Sequence, residues 1–291
     1  MSDENALLAA IAANPHEDTP RLMYADWLQE NGRPVRAEFI RVQIEIARID
    51  HLPRQALNQY VDLFQRNQEL IDDHRGELLG PLAVLPAETQ IEFRRGFPEF
   101  IELPVRSFLT HSERIAGQRP LPRVGVTGVA DRWLAFLMNP HTDCVTQLSG
   151  YSNHPEDLAP EYSVSEEDLI DGVERMTRLE SLDLEGCAVS DLHCDLAFNF
   201  SVPSLRSLDL SNNLITDQGV TDLIRTTLPG HLRRLILGGN DITDAGAIAL
   251  AEGWPTGAAD RLEHLNLRFT NIGQVGQAAL LRRFGGRVDL F

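Results

Sequence analysis

Lysine is missing altogether from this chain of 291 residues, so all 26 basic residues are arginine. That absence excludes chemistry that runs through an amine: no lysine Schiff base, phosphate-loop lysine or lysine base can form. Arginine-only usage fits a GC-rich bacterial genome. Basic charge of any kind is scarce, since 43 acidic residues leave a net charge of −17. Such a surface repels phosphate backbones, and no nucleic-acid partner is expected. Cysteine is limited to three residues, an odd number without framework spacing, which excludes a disulfide scaffold and points to the reducing cytoplasm. Cys187, His193 and Cys194 lie close together, but without a second ligand pair they do not make a tetrahedral site, and no metal or other cofactor is expected. No run of 18 apolar residues exists, and Met1-Ser-Asp-Glu-Asn lacks a basic region before an apolar one, so neither a membrane span nor a signal peptide is expected.

What the chain does contain is one phrase said twice. Leu205-Arg-Ser-Leu208-Asp-Leu210-Ser-Asn-Asn213-Leu-Ile215-Thr-Asp217-Gln-Gly219 returns as Leu232-Arg-Arg-Leu235-Ile-Leu237-Gly-Gly-Asn240-Asp-Ile242-Thr-Asp244-Ala-Gly246. Leu179 opens a similar phrase 26 residues before Leu205, Leu232 follows it by 27, and Leu262 opens another 30 further on. Weaker echoes begin at Leu121 and Val145, with a further one at Pro98 to Leu103 and a half-phrase at Val288 to Leu290. Self-similarity at a fixed period marks a stacked array of supersecondary units. Leucines at positions 1, 4 and 6 give the alternation of a short strand, and Val220, Leu223 and Ile224 follow at helical spacing. Each unit therefore reads as strand then helix.

These phrases resemble the leucine-rich repeat family, and the Ile-Thr-Asp-x-Gly stretch is similar to its ribonuclease-inhibitor-like subclass. The resemblance implies an α/β fold: a right-handed solenoid with a parallel concave sheet and outer helices. Position 9 in the family holds an Asn that pairs backbone groups where the strand ends. Asn213 and Asn240 match it, Cys187 is a small substitute and Thr270 departs.

The first 82 residues carry no repeats and read as a helical domain, with 83–291 as the repeat domain and clear repeats from about 179. Helices are expected over Glu4 to Ala13, Arg21 to Glu30 behind an N-cap Thr19 and Pro20, Arg36 to Ile49, and Pro53 to Leu79. Buried stripes are assigned to Leu22, Ala25, Trp27 and Leu28, then to Leu57, Tyr60, Val61, Phe64 and Leu70 on the last helix. The stretch Asp18-Thr-Pro-Arg21-Leu22-Met-Tyr24-Ala25-Asp26-Trp27-Leu28, with Arg36-Ala-Glu38-Phe39-Ile40-Arg41, is similar to the bacterial repeat-companion domain. That resemblance implies co-occurrence with repeats and no assigned activity. Tyr24 and Trp27 are expected in the packing, with Asp26 bonded locally or paired to Arg21 or Arg36. The region is expected to cap the array through Glu88 to Phe97, because end repeats need a polar cap. Tyr151 to Ser165 is expected as a projecting loop.

Function is sought at strand positions 3, 5 and 7, whose side chains leave the core. Arg123, Gln147 and Tyr151 come from the early phrases, Asp183, Glu185 and Asp209 form an acidic group, and Arg234, Ile236, His264, Asn266 and Arg268 form a mainly basic one. Sorted charge of this kind orients a complementary partner. No phosphate loop, paired-histidine motif or nucleophile elbow occurs, so no enzyme is expected. The expected role is a protein-binding scaffold acting through the concave face, with an unidentified protein partner. The alternative is a regulator of a partner enzyme, as inhibitor or GTPase activator, which members of the resembled subclass are.

Overall fold

The computed structural model describes residues 3–129, 132–150, 175–191 and 202–290. Contacts divide the chain into two compact units, Met1–Leu103 with Thr110–Val124, and Pro104–Leu109 with Gly125–Phe291. The architecture is mixed α/β.

In the first unit α1 (Asp3–Ala13), α2 (Thr19–Glu30) and α3 (Pro34–Ile49) follow the sequence reading closely. Thr19 is not the cap of α2: it is the first helical residue, and Asp18 precedes it without a side-chain cap bond. The Asp18 carboxylate is engaged elsewhere, by Arg95 at 2.9 Å and Arg48 at 3.3 Å. The single helix expected from Pro53 is broken into α4 (Arg54–Leu57), a 3₁₀ turn at Asn58–Tyr60, and α5 (Val61–Leu79). A tighter turn shifts the phase of the face behind it. Val61 and Phe64 are accordingly exposed, while Leu70, Leu78 and Leu79 are buried.

Strands β1 (Gln90–Arg94) and β2 (Phe97–Pro104) form an antiparallel hairpin. Arg95 and Gly96 make its two-residue turn, with φ of 48° and 82°, both in the left-handed region such turns require. The hairpin packs on the helices. Phe93 meets Phe39 edge-on at 5.2 Å, Phe97 stacks on Tyr24 at 6.0 Å, and a Cβ on Gly96 would lie 2.7 Å from the Ile40 Cα. These contacts carry the first unit past residue 82.

Arginine and aromatic side chains of the first helices are used inside this unit. The guanidiniums of Arg21 and Arg36 lie 5.9 and 5.3 Å from the centre of the Phe97 ring. Tyr24 donates to Glu4 at 2.9 Å, and Arg33 pairs with the same carboxylate. Asp26 pairs with Arg41 at 2.8 Å rather than with Arg21 or Arg36, because Arg21 is buried and held by the carbonyls of Asn14 and Glu17.

α6 (Val105–Ala116), β3 (Arg123–Thr127), α7 (Trp133–Leu137) and β4 (Val145–Ser149) follow. The repeats then give β5 (Ser181–Asp183), β6 (Ser207–Asp209), α8 (Asp217–Arg225), β7 (Arg234–Ile236), α9 (Asp244–Gly253), β8 (His264–Asn266), α10 (Gln274–Phe284) and β9 (Val288–Asp289). Strands β3 to β9 stand in the sheet in chain order, and β4 to β9 pair parallel. Leu148, Leu182, Leu208, Leu235, Leu265 and Val288 lie in register across them. Val220 and Leu223 are buried on α8, as helical spacing requires. Among the described residues no helix is long and apolar enough to cross a membrane.

Candidate functional site

Two hydrogen-bonded ladders hold the strand surface in place. Asn213 accepts from the Val189 N–H at 2.9 Å and donates to the Leu184 carbonyl at 2.8 Å. Asn240 repeats this one unit later, accepting from Ile215 at 3.0 Å and donating to Leu210 at 2.8 Å and Leu237 at 2.9 Å. Each side chain thus pairs backbone groups of its own strand exit and of the preceding one, where no ladder partner exists. Thr270 donates to the Leu267 carbonyl of its own strand exit, so the departure from Asn loses the position-9 bond to the preceding repeat, which Asn271 still reaches through Asp241 at 2.7 Å.

The second ladder was not read from the sequence. Asp191 accepts from the Thr216 N–H at 2.8 Å and hydroxyl at 2.6 Å, and Asp217 accepts the same pair from Thr243. The threonines in turn cap α8 and α9, taking the N–H of Gln218 and Ala245. The glycine of Thr-Asp-x-Gly makes room for the incoming carboxylate: a Cβ on Gly219 would lie 2.4 Å from Asp191 Oδ1, and one on Gly246 2.3 Å from Asp217 Oδ1. Gly246→Ala should therefore displace Asp217 and destabilise the chain by about 1–3 kcal/mol. A urea midpoint unchanged from the parent would refute this, with Gly230→Ala, where nothing lies within 4 Å, as the control.

On this frame the expected surface residues fall into two rows. Gln147, Ser181, Ser207, Arg234 and His264 are neighbours across strands, and so are Ser149, Asp183, Asp209, Ile236, Asn266 and Asp289. Asp183 and Asp209 are therefore adjacent, and so are Arg234 and His264. Burial pushes the Asp183 carboxyl above the usual range, against the lowering hydrogen bond from the Glu185 N–H, and the Asp209 charge adds to the rise. Ile236 is only 8% exposed and offers little surface. Arg123 opens β3 in the first unit, its guanidinium 6.0 Å from the Phe100 ring centre. Tyr151 lies outside the described residues, as do His193 and Cys194.

Several of these residues also close their own turns. Asp183 accepts from the Glu185 N–H at 3.0 Å, Asp209 from the Ser211 N–H at 2.9 Å, and Asn266 from the Arg268 N–H at 2.9 Å. Glu185 is exposed and accepts from Asn212 at 2.7 Å. Sequence reasoning missed Asp289, which sits 3.9 Å from His264 Nδ1 and places a carboxylate in the basic half.

In the five phrases whose position 8 is described, that position takes a left-handed backbone. The φ values are 71° at Gly128, 63° at Gly186, 55° at Asn212, 69° at Gly239 and 59° at Phe269. Glycine or Asn adopts this freely, whereas a bulky side chain pays about 1–2 kcal/mol. Phe269 is nevertheless 85% exposed, so its ring gains little from packing.

Elsewhere, a cleft of about 380 Å³ is lined by Arg206, His231, Arg233, Asp260, Arg261 and Glu263. Its charges are largely tied, Arg233 to Glu263 at 2.6 Å and Arg261 to the Gly230 carbonyl. Burial pushes the thiols of Cys144 and Cys187 up to about 12 and about 11, which keeps both protonated at neutral pH.

Residues 203–223 and 231–251 match the leucine-rich repeat family model. No curated protein matches the chain. The matched segments hold both asparagine side chains of the first ladder, and repeats of this kind suggest a protein-interaction role.

Proposed function

We propose that this chain is a non-catalytic scaffold that binds a protein partner across the strand surface of a leucine-rich-repeat solenoid of the ribonuclease-inhibitor-like kind. One observation carries the reading: the in-register sheet sets Asp183 beside Asp209 on β5 and β6 and places Arg234 on the next strand, so acidic and basic side chains stand at separate places along one surface. A partner with the reverse order of charge would be steered and held in one orientation. The first unit is read as a repeat-companion module. Its support is the use of Arg21, Tyr24, Arg36 and Phe97 in one cation–aromatic stack, which gives the motif residues a packing role.

The test keeps the turns intact. Asp183→Asn and Asp209→Asn retain the acceptor for their turn N–H groups while removing charge, and Arg234→Gln and Arg268→Gln complete a quadruple variant. We expect an unchanged thermal midpoint and at least a tenfold loss of the proteins captured from a native cell extract. Recovery of the same proteins at the same yield would overturn the reading.

A further inference from the structure

We propose that α1 is an exchangeable plug, and that the seat it covers on α2 and α3 binds an amphipathic partner helix whose first turn carries a carboxylate. This second interaction surface lies within the first compact unit and does not depend on the strand surface.

α1 itself shows what the seat accepts. Glu4, Leu7, Leu8 and Ile11 stand at i, i+3, i+4 and i+7, along one face of a helix. Ile11 is fully buried, and Leu7 and Leu8 pack beside it on a cluster that includes Tyr24, Ala25, Leu28, Ala37, Ile40 and Ile44. At the polar end the Glu4 carboxylate accepts from the Tyr24 hydroxyl at 2.9 Å and pairs with Arg33 at 2.5 Å. Both of these groups have other supports. The Arg33 guanidinium lies 5.2 Å from the centre of the Trp27 ring, and Tyr24 stacks on Trp27 and on Phe97, each at 6.0 Å. Without α1 the seat is an apolar groove that ends in a hydroxyl and a guanidinium lacking their carboxylate.

α1 is weakly attached. Of Asp3–Ala13 only Ile11 is buried, and the polar clamp is open to water, with Arg33 41% and Glu4 31% exposed. A helix of 11 residues is marginal on its own, so its order depends on these few contacts. Segments with few buried contacts open locally, below the free energy of global unfolding. α2 and α3 are held by the hairpin as well, through Phe97 on Tyr24 and Phe93 on Phe39.

The chemistry of the seat fixes its occupant. A hydroxyl and a guanidinium select a carboxylate, which the dipole also favours in the first turn of a helix. The apolar floor selects large aliphatic residues three, four and seven positions later, the pattern of a helix laid in a groove. Tyrosine, tryptophan and arginine, which line its polar end, are the residue types that carry most binding energy at interfaces.

The test uses the full chain and a fluorescein-labelled peptide of the α1 sequence, Asp3 to Ala13, as the probe helix. In the parent, the amides of Leu8 to Ile11 should exchange at least tenfold faster than those of Leu28 and Ile40. Glu4→Ala removes the clamp, and Ala9→Pro breaks α1 at an exposed position away from the groove. Both variants should unfold as cooperatively as the parent and bind the peptide at least tenfold more tightly by fluorescence anisotropy. Adding Arg33→Gln to Glu4→Ala should weaken that binding at least tenfold. A peptide with Gln for its Glu should lose as much, and the two changes together no more than either alone. Loss of cooperative unfolding in both variants, α1 amides that exchange only together with α2 and α3, or a peptide that binds the variants no better than the parent would overturn the proposal and make α1 an integral part of the fold. Dimerisation of Glu4→Ala in sedimentation would overturn it too, by giving the seat to α1 of a second copy.

Discussion

Replacing Asn240 by Ala is expected to destabilise the repeats by about 3–5 kcal/mol, because each buried backbone group left without a partner costs about 1–3 kcal/mol. Asn240 is 5% exposed and serves the N–H of Ile215 and the carbonyls of Leu210 and Leu237. Leu210 and Ile215 belong to the preceding repeat, and both are at most 1% exposed, so water does not readily replace the lost bonds. Thr270→Ala, which removes one bond within its own unit, should cost about 1 kcal/mol. The order of the two urea midpoints is the measurement. Equal losses would mean that water satisfies the exposed groups and that the ladder does not couple the units. Asn240→Asp gives a second reading, since it keeps the acceptor, loses both donors and buries a charge; it should be more destabilising at neutral pH than in acid.

The frame is legible in the sequence because it repeats. Leu208 and Leu235 stand at the same phrase position, and the sheet puts them in register. Asn213 and Asn240 were legible for the same reason. Asp191 and Asp217 were not, because their partners lie 25 and 26 residues away and Thr-Asp reads locally as an ordinary helix start. A signal was present nonetheless: Gly219 and Gly246 recur where a helix gains nothing from glycine. The Arg95-Gly96 turn is not legible, because the runs beside it read as a junction between the helices and the repeats. Asp26 found Arg41 because the packing of α2 on α3, not sequence spacing, decides which charges meet. The site was legible as residue types at strand positions. Their use was not: Ile236 is covered, and Asp183, Asp209 and Asn266 each hold a turn. Phe269 could have been found by aligning position 8 alone, where one bulky side chain follows Gly, Asn and Gly.

Leu235→Ala is expected to cost about 2–5 kcal/mol, through the lost burial and the cavity left behind. Leu235 is fully buried between Leu208 and Leu265, with which it is in register on β6 and β8. The cavity resists closing. Strands are fixed about 4.8 Å apart by their hydrogen bonds, and here the Arg234 and His264 N–H groups are bonded to the carbonyls of Arg206 and Arg233. A side chain missing from the middle of such a row cannot be replaced by a shift of one neighbour without opening a gap at the next. Arg234→Ala on the same strand, whose side chain is exposed, should stay within about 0.5 kcal/mol and serves as the control. Stacked units exchange energy mainly with their neighbours, so the loss should also be local. Amide exchange should accelerate at Leu210, Leu237 and Leu267, whose N–H groups bond across β6 to β9, and remain unchanged in α2 and α3. Uniform acceleration through both compact units would show instead that the chain opens as one cooperative body, and a Leu235→Ala variant as stable as its parent would remove the physical basis for reading these strands as a stacked array.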